Sequence, residues 1–130
     1  MTLHSPAPGV FHTVIAGYIE PAEARRVVAA GDLVIAEAGM LVGFHDWEAM
    51  TGYQSESRAL LTDWGVRIRP QVEKVHILVR SRIVAMGVSV ASLALRGMLV
   101  SYTQRAVFEA AFAARVEQAT RTSSRPRSGP

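Results

Sequence analysis

The sequence predicts an α/β domain built on a largely parallel sheet. Segments rich in β-branched and aromatic residues alternate with segments whose apolar residues recur at helical spacing. Val72–Val79 alternates residue by residue, which is the signature of a half-buried strand. The length, 130 residues, suits one compact domain and leaves little room for a second. Such alternation implies parallel strands joined through helices that pack on the sheet.

The elements follow in order. Residues 1–9 carry Pro6 and Pro8 and are expected to be irregular or a short edge piece. Residues 10–19 read as one strand. Pro21 then opens a helix, since the N–H it lacks would have no intrahelical partner at that position. Ala24, Val27, Val28, Gly31, Val34, Ile35 and Ala38 form its packed face, and Gly39 supplies a left-handed end. Residues 40–44 are a short apolar run, as in a strand covered on both faces, and residues 48–54 read as a loop. Ser55 offers a capping hydroxyl to a second helix, with Leu60, Leu61 and Trp64 buried and Gly65 near its end. After Pro70 comes the strand Val72–Val79. Residues 83–95 alternate like a strand in places, but about 13 residues exceed an ordinary strand, so the reading is a helix capped by Ser81. Residues 98–102 form a last strand. Thr103 caps a final helix over 105–118 that buries Val107, Phe108, Ala111, Phe112 and Val116. The domain is expected over 10–118, with a disordered Arg/Ser/Pro-rich tail over 119–130.

Composition narrows function mainly by exclusion. The absence of cysteine excludes disulfides, thiolate metal sites and a cysteine nucleophile, and it fits a reducing, cytoplasmic setting. No basic-then-apolar leader opens the chain, and no apolar run approaches a membrane span. The formal charge of +3 comes from Arg121, Arg125 and Arg127; residues 1–118 hold eleven basic and eleven acidic side chains. A neutral body lacks the basic surplus that drives nucleic-acid binding, so no nucleic-acid partner is expected.

Catalytic signals are weak. His45, Asp46 and Glu48 suggest metal or acid–base chemistry, but adjacent strand residues point to opposite faces, so His45 and Asp46 cannot readily chelate together. His4, His12 and His76 lie in separate elements. There is no G-x-S-x-G elbow and no Gly-rich phosphate loop. No catalytic residue, metal or cofactor is therefore assigned. A hydrolase-like use of His45, Asp46 or Ser55 would require those groups to converge on one pocket. Ser55, at a helix start, is the candidate phospho-acceptor, because backbone N–H groups and the helix dipole there favour negative charge. Its plain alternative is an ordinary cap. The third helix is apolar nearly all round, so it is either buried on both sides or covered by a second subunit, another protein or an apolar ligand.

Phe44-His45-Asp46-Trp47, Gly52-Tyr53-Gln54-Ser55, residues 61–64, Val75-His76-Ile77-Leu78-Val79 and Val84-Ala85-Met86-Gly87-Val88 resemble the bacterial STAS-like, or SpoIIAA-like, proteins, relatives of anti-sigma-factor antagonists. The resemblance spans roughly 10–118. It implies a mixed, mostly parallel sheet of four to five strands flanked by about four helices, and a non-enzymatic regulatory module that binds another protein. In the antagonists a Ser or Thr in the loop after the strand aspartate is phosphorylated; the matching stretch here offers Ser55 and then Thr51. It lacks the Ser-Ser-Gly triplet usual after that aspartate and has several extra residues. The partner surface expected on this reading comprises Asp46, Tyr53 and Ser57 with Val84, Val88 and Leu95. Some SpoIIAA-like proteins are also similar to CRAL-TRIO lipid-transfer domains, which implies, as the alternative, a carrier or sensor with an apolar pocket beneath the third helix.

Overall fold

Every strand of the main sheet is laid down beside the one before it. The computed structural model describes residues 1–124. Along them run β1 (Thr2–Ala7), β2 (Val10–Val14), β3 (Gly17–Ile19), α1 (Pro21–Ala38), β4 (Leu41–Trp47), β5 (Met50–Tyr53), α2 (Ser55–Ile68), β6 (Val72–Val79), α3 (Arg82–Ala94), β7 (Leu99–Tyr102) and α4 (Arg105–Ser124). The five-stranded sheet has the order β1-β2-β4-β6-β7, and β3 and β5 form a two-stranded sheet of their own. β1 is antiparallel to β2, while β2–β4, β4–β6 and β6–β7 are parallel.

Because the parallel strands never reverse their order, three successive crossovers bring α1, α2 and α3 to one face. Phe11, Leu41, Trp47, Val75 and Ile77 of the sheet pack there with Val27, Trp64, Ile68, Val84, Val88 and Leu95 of the helices. The opposite face carries Val10, Val42, Phe44 and Leu78 under Phe108 and Ala119 of α4. The result is three layers, α1–α3, sheet and α4, with β4 buried along its whole length.

Local chemistry explains the ends and contacts of α1. Pro21 occupies its first turn, and the Glu20 N–H donates to Glu23 Oε1 at 3.0 Å. Gly39, at φ 77°, ends it with its N–H on the Ile35 carbonyl at 2.7 Å. Gly31 has a different task. A Cβ there would overlap the Trp64 indole, so its absence lets α2 approach α1, and Trp64 Nε1 donates to Asp32 Oδ1 at 2.9 Å.

Several expectations need correction. For residues 1–9 the edge piece, not the irregular segment, is what forms: Thr2–Ala7 is an edge strand, and the register shifts between His4 and Ala7, where Pro6 can offer no N–H. The single strand expected over 10–19 is broken into β2 and β3 at Gly17, which adopts φ 78°. Residues 50–53 are not loop but β5, held by pairing with β3. α2 continues past Gly65 to Ile68. That glycine serves as a contact point, since a Cβ there would sit 3.0 Å from Leu95 Cδ1. α4 continues to Ser124, so residues 119–124 are helical, and Ala119 is buried. Val107 faces outward at 51% exposure. The tail expectation for residues 125–130 lies outside the described residues.

Candidate functional site

A ligand crevice at strand ends arises where strand order reverses. The order here never reverses within the parallel strands, and the space a ligand could enter lies instead between the sheet and its helices. A cavity of about 100 Å³ sits beneath α3, walled by β4 and β6 below and by α2, α3 and β5 around it. Val84, Val88 and Leu95 point into it, together with Trp47, Met50, Leu61, Ile77 and Met98. The wall is almost wholly apolar; the polar side chains on it are His45, Tyr53, Arg58 and Thr62. Gly65 and Gly87 lie on the two helices that frame the space, and a Cβ at Gly87 would overlap the Tyr53 hydroxyl.

His45 is the one wall residue that is both ionisable and fully buried. Strand alternation sends it to the α1–α3 face beside Gly43, whose missing side chain leaves room for the ring: a Cβ there would lie 3.0 Å from His45 Nε2. The ring is flanked by Phe11 edge-on and by Trp47 at a centroid distance of 5.0 Å. Thr13 Oγ1 lies 2.7 Å from His45 Nδ1, and Trp47 Nε1 donates to the same oxygen at 3.2 Å. An indole N–H can only donate. Among the described residues the Thr13 hydroxyl proton has no acceptor other than Nδ1, which places the ring's own proton on Nε2. Burial, followed by repulsion from His12 and His76, lowers the His45 pKa to about 3, so the ring is neutral near pH 7.

Asp46 faces the other way. Arg105, from α4, donates to both its oxygens at 2.9 and 3.0 Å, and also reaches Glu48 at 3.5 Å. Hydrogen bonding to Asp46 and Glu109 raises the Arg105 pKa further. His45 and Asp46 thus serve opposite layers, as their adjacency on a strand dictates.

The expected partner residues are mostly interior. Val84, Val88 and Leu95 are at most 8% exposed, and Tyr53 is half-buried against Gly87. Ser57 is fully buried, and its hydroxyl donates to the Ile19 carbonyl at 3.1 Å, fastening α2 to β3. Asp46 is 9% exposed and engaged by Arg105. The outward face of α3 is instead Ile83, Met86, Val90 and Leu93, exposed by 49–76%. A helix apolar on both sides gives no phase from which to tell the two faces apart. Ser55 and Thr51 are exposed, but Ser55 is the first helical residue rather than the cap, which is Gln54. The cap at Ser81 is as expected, its Oγ accepting from the Val84 N–H at 3.4 Å.

The sequence reading missed the wall role of His45, Trp47 and Met50. The parity of 41–47 could have revealed the first two, since Leu41, Gly43, His45 and Trp47 share one face. Among the described residues no group of three or more His, Cys, Asp or Glu side chains is placed to hold a metal ion. No described helix is long and apolar enough to cross a membrane.

No known family model and no curated protein matches the chain. Among solved structures, it is similar to an uncharacterised protein of the DUF3478 family with a SpoIIAA-like fold, from Shewanella loihica PV-4. The two superpose with a TM-score of 0.60 at 12% identity, over 78% of this chain and 81% of that one. The chain has a SpoIIAA-like fold.

Proposed function

We propose that this chain is a non-enzymatic, cytoplasmic carrier or sensor that holds a small apolar ligand in the cavity beneath α3. The cavity carries the reading. Protein cores pack at the density of organic crystals, and at about 24 cal/mol per Å³ an unfilled 100 Å³ would cost about 2 kcal/mol. An occupant recovers that cost. The volume suits a ligand of roughly benzene size, judged against a dry engineered cavity of about 150 Å³ that takes benzene. The absence of catalysis is part of the proposal. It is supported by the division of His45 and Asp46 between opposite layers and by the commitment of Asp46 to Arg105.

Native mass spectrometry of protein purified from its own host tests the reading. The wild-type chain is expected to retain a bound mass, and Ala91→Phe, which fills the space from α3, is expected to lose it. Equal masses bound by both would place the ligand elsewhere, and no bound mass would remove the support.

The outward stripe of α3 favours a second reading, a regulatory protein partner. Ile83, Met86, Val90 and Leu93 form an exposed apolar row along α3. A phospho-switch belongs to this reading, and the exposure of Ser55 at the start of α2 is what supports it. A pull-down comparing wild type with Ser55→Glu and Leu93→Lys is its test. Identical partners for Ser55→Glu discard the switch, and identical partners for Leu93→Lys discard the surface.

A further inference from the structure

We infer that the cavity selects a neutral ligand bearing a hydrogen-bond acceptor, such as a ketone, ester or ether oxygen on a small apolar frame, and that His45 Nε2–H is the donor that recognises it. The inference rests on the ligand-holding reading above and deepens it.

Two observations carry it independently of any pKa. The Thr13–Trp47 network uses Nδ1 and fixes the proton on Nε2, so His45 presents a donor and no acceptor. Among the described residues Nε2 has no protein partner. It is also not sealed in protein, because among the described residues the one sealed and unpartnered side-chain nitrogen or oxygen is His12 Nδ1. His45 lies on the cavity wall, and the accessible, unpartnered Nε2–H is assigned to that space. A donor aimed into an apolar space discriminates sharply: an occupant without an acceptor strands it, and an occupant with one satisfies it.

Charge sets the remaining limit. The ring is neutral near pH 7 and offers no positive charge, so burying a carboxylate against it would forfeit hydration without an ion pair. Arg58, the single charged residue on the wall, is only half-buried. The His45 side of the site therefore takes a neutral acceptor.

The test uses the full chain and two probes of equal heavy-atom count, cyclohexanone and methylcyclohexane. Their dissociation constants are read from methyl NMR shifts of Val84, Val88 and Leu95. Aqueous solubility differs between the probes, so the deciding quantity is their affinity ratio compared across variants. His45→Phe is expected to reduce the relative affinity for cyclohexanone about tenfold, and His45→Gln, which carries an amide N–H near the Nε2 position, to restore most of it. The His45 Nε2–H resonance is expected to move with cyclohexanone and not with methylcyclohexane. If His45→Phe does not fold, Thr13→Val answers instead, because it leaves the imidazole but frees its proton to either nitrogen; the ratio should then fall partway. An unchanged ratio in these variants overturns the acceptor inference and leaves the cavity reading intact. Failure of both probes to bind the wild-type chain overturns both.

Discussion

Acidification from pH 7 to pH 4 is expected to remove about 3 kcal/mol of folding stability through His45 alone. The buried ring has its pKa lowered from 6.5 to about 3, first by lost hydration and then by His12 and His76. In the unfolded chain the same imidazole titrates near its ordinary value of about 6.5. Between those two values the unfolded chain binds the proton and the folded chain does not, so stability falls as the pH falls. From about 6.5 down to pH 4 the span is about 2.5 units at about 1.4 kcal/mol each, which gives about 3 kcal/mol. That is a large fraction of the roughly 5–15 kcal/mol that holds a domain together. Urea unfolding of wild type and His45→Gln at pH 7, 5.5 and 4 measures it. With a slope of about 1–1.5 kcal/mol per molar, the wild-type midpoint should drop by about 2–3 M more than that of the variant. His12 and His76, also lowered by burial, titrate in both proteins and cancel in the comparison. Equal acid sensitivity of the two proteins would refute the placement of a neutral, desolvated His45 in the core.

Other substitutions probe the layers around that ring. Phe108→Ala removes the buried α4 anchor that packs edge-on against Phe44 and Tyr102, and denaturant melts should show a loss of about 3–5 kcal/mol. Gly31→Ala sets a helix-propensity gain of about 1 kcal/mol against overlap with the Trp64 ring, and overpacking of about 1–3 kcal/mol should win. Its readouts are a lowered Tm and an altered Trp emission. Arg105→Ala leaves the Asp46 carboxylate without its bidentate partner and should cost about 1–2 kcal/mol by thermal denaturation, with Asp46→Asn/Arg105→Ala recovering part of the loss.

The legible parts of the sequence are those whose cause is local. Val72–Val79 alternates because Val75, Ile77 and Val79 turn to the α1–α3 core while Lys74 and His76, on the other parity, stay exposed or half-buried, and α1 is bounded by Pro21 and Gly39. β1 and β5 are illegible for the opposite reason. Thr2–Ala7 contains Pro6, Met50–Tyr53 contains Gly52, and each is a strand only because β2 or β3 lies alongside. Gly65 looks like a helix stop and is a packing contact, which only the position of Leu95 reveals. The candidate site follows the same rule. Parity on β4 predicts that His45 and Asp46 part company. The partner surface expected from Val84, Val88 and Leu95 turned inward because an all-apolar helix does not declare which side meets the sheet.

Xenon makes the most direct measurement of the central claim, that the space between the sheet and α2–α3 is a dry, ligand-sized apolar site. In a crystal pressurised with the gas, the account predicts an ordered xenon atom within van der Waals reach of Val84, Val88 and Ile77, and none in the same place in Ala91→Phe. Wild-type crystals that instead hold ordered water throughout that space, or side chains collapsed into it, would contradict the account.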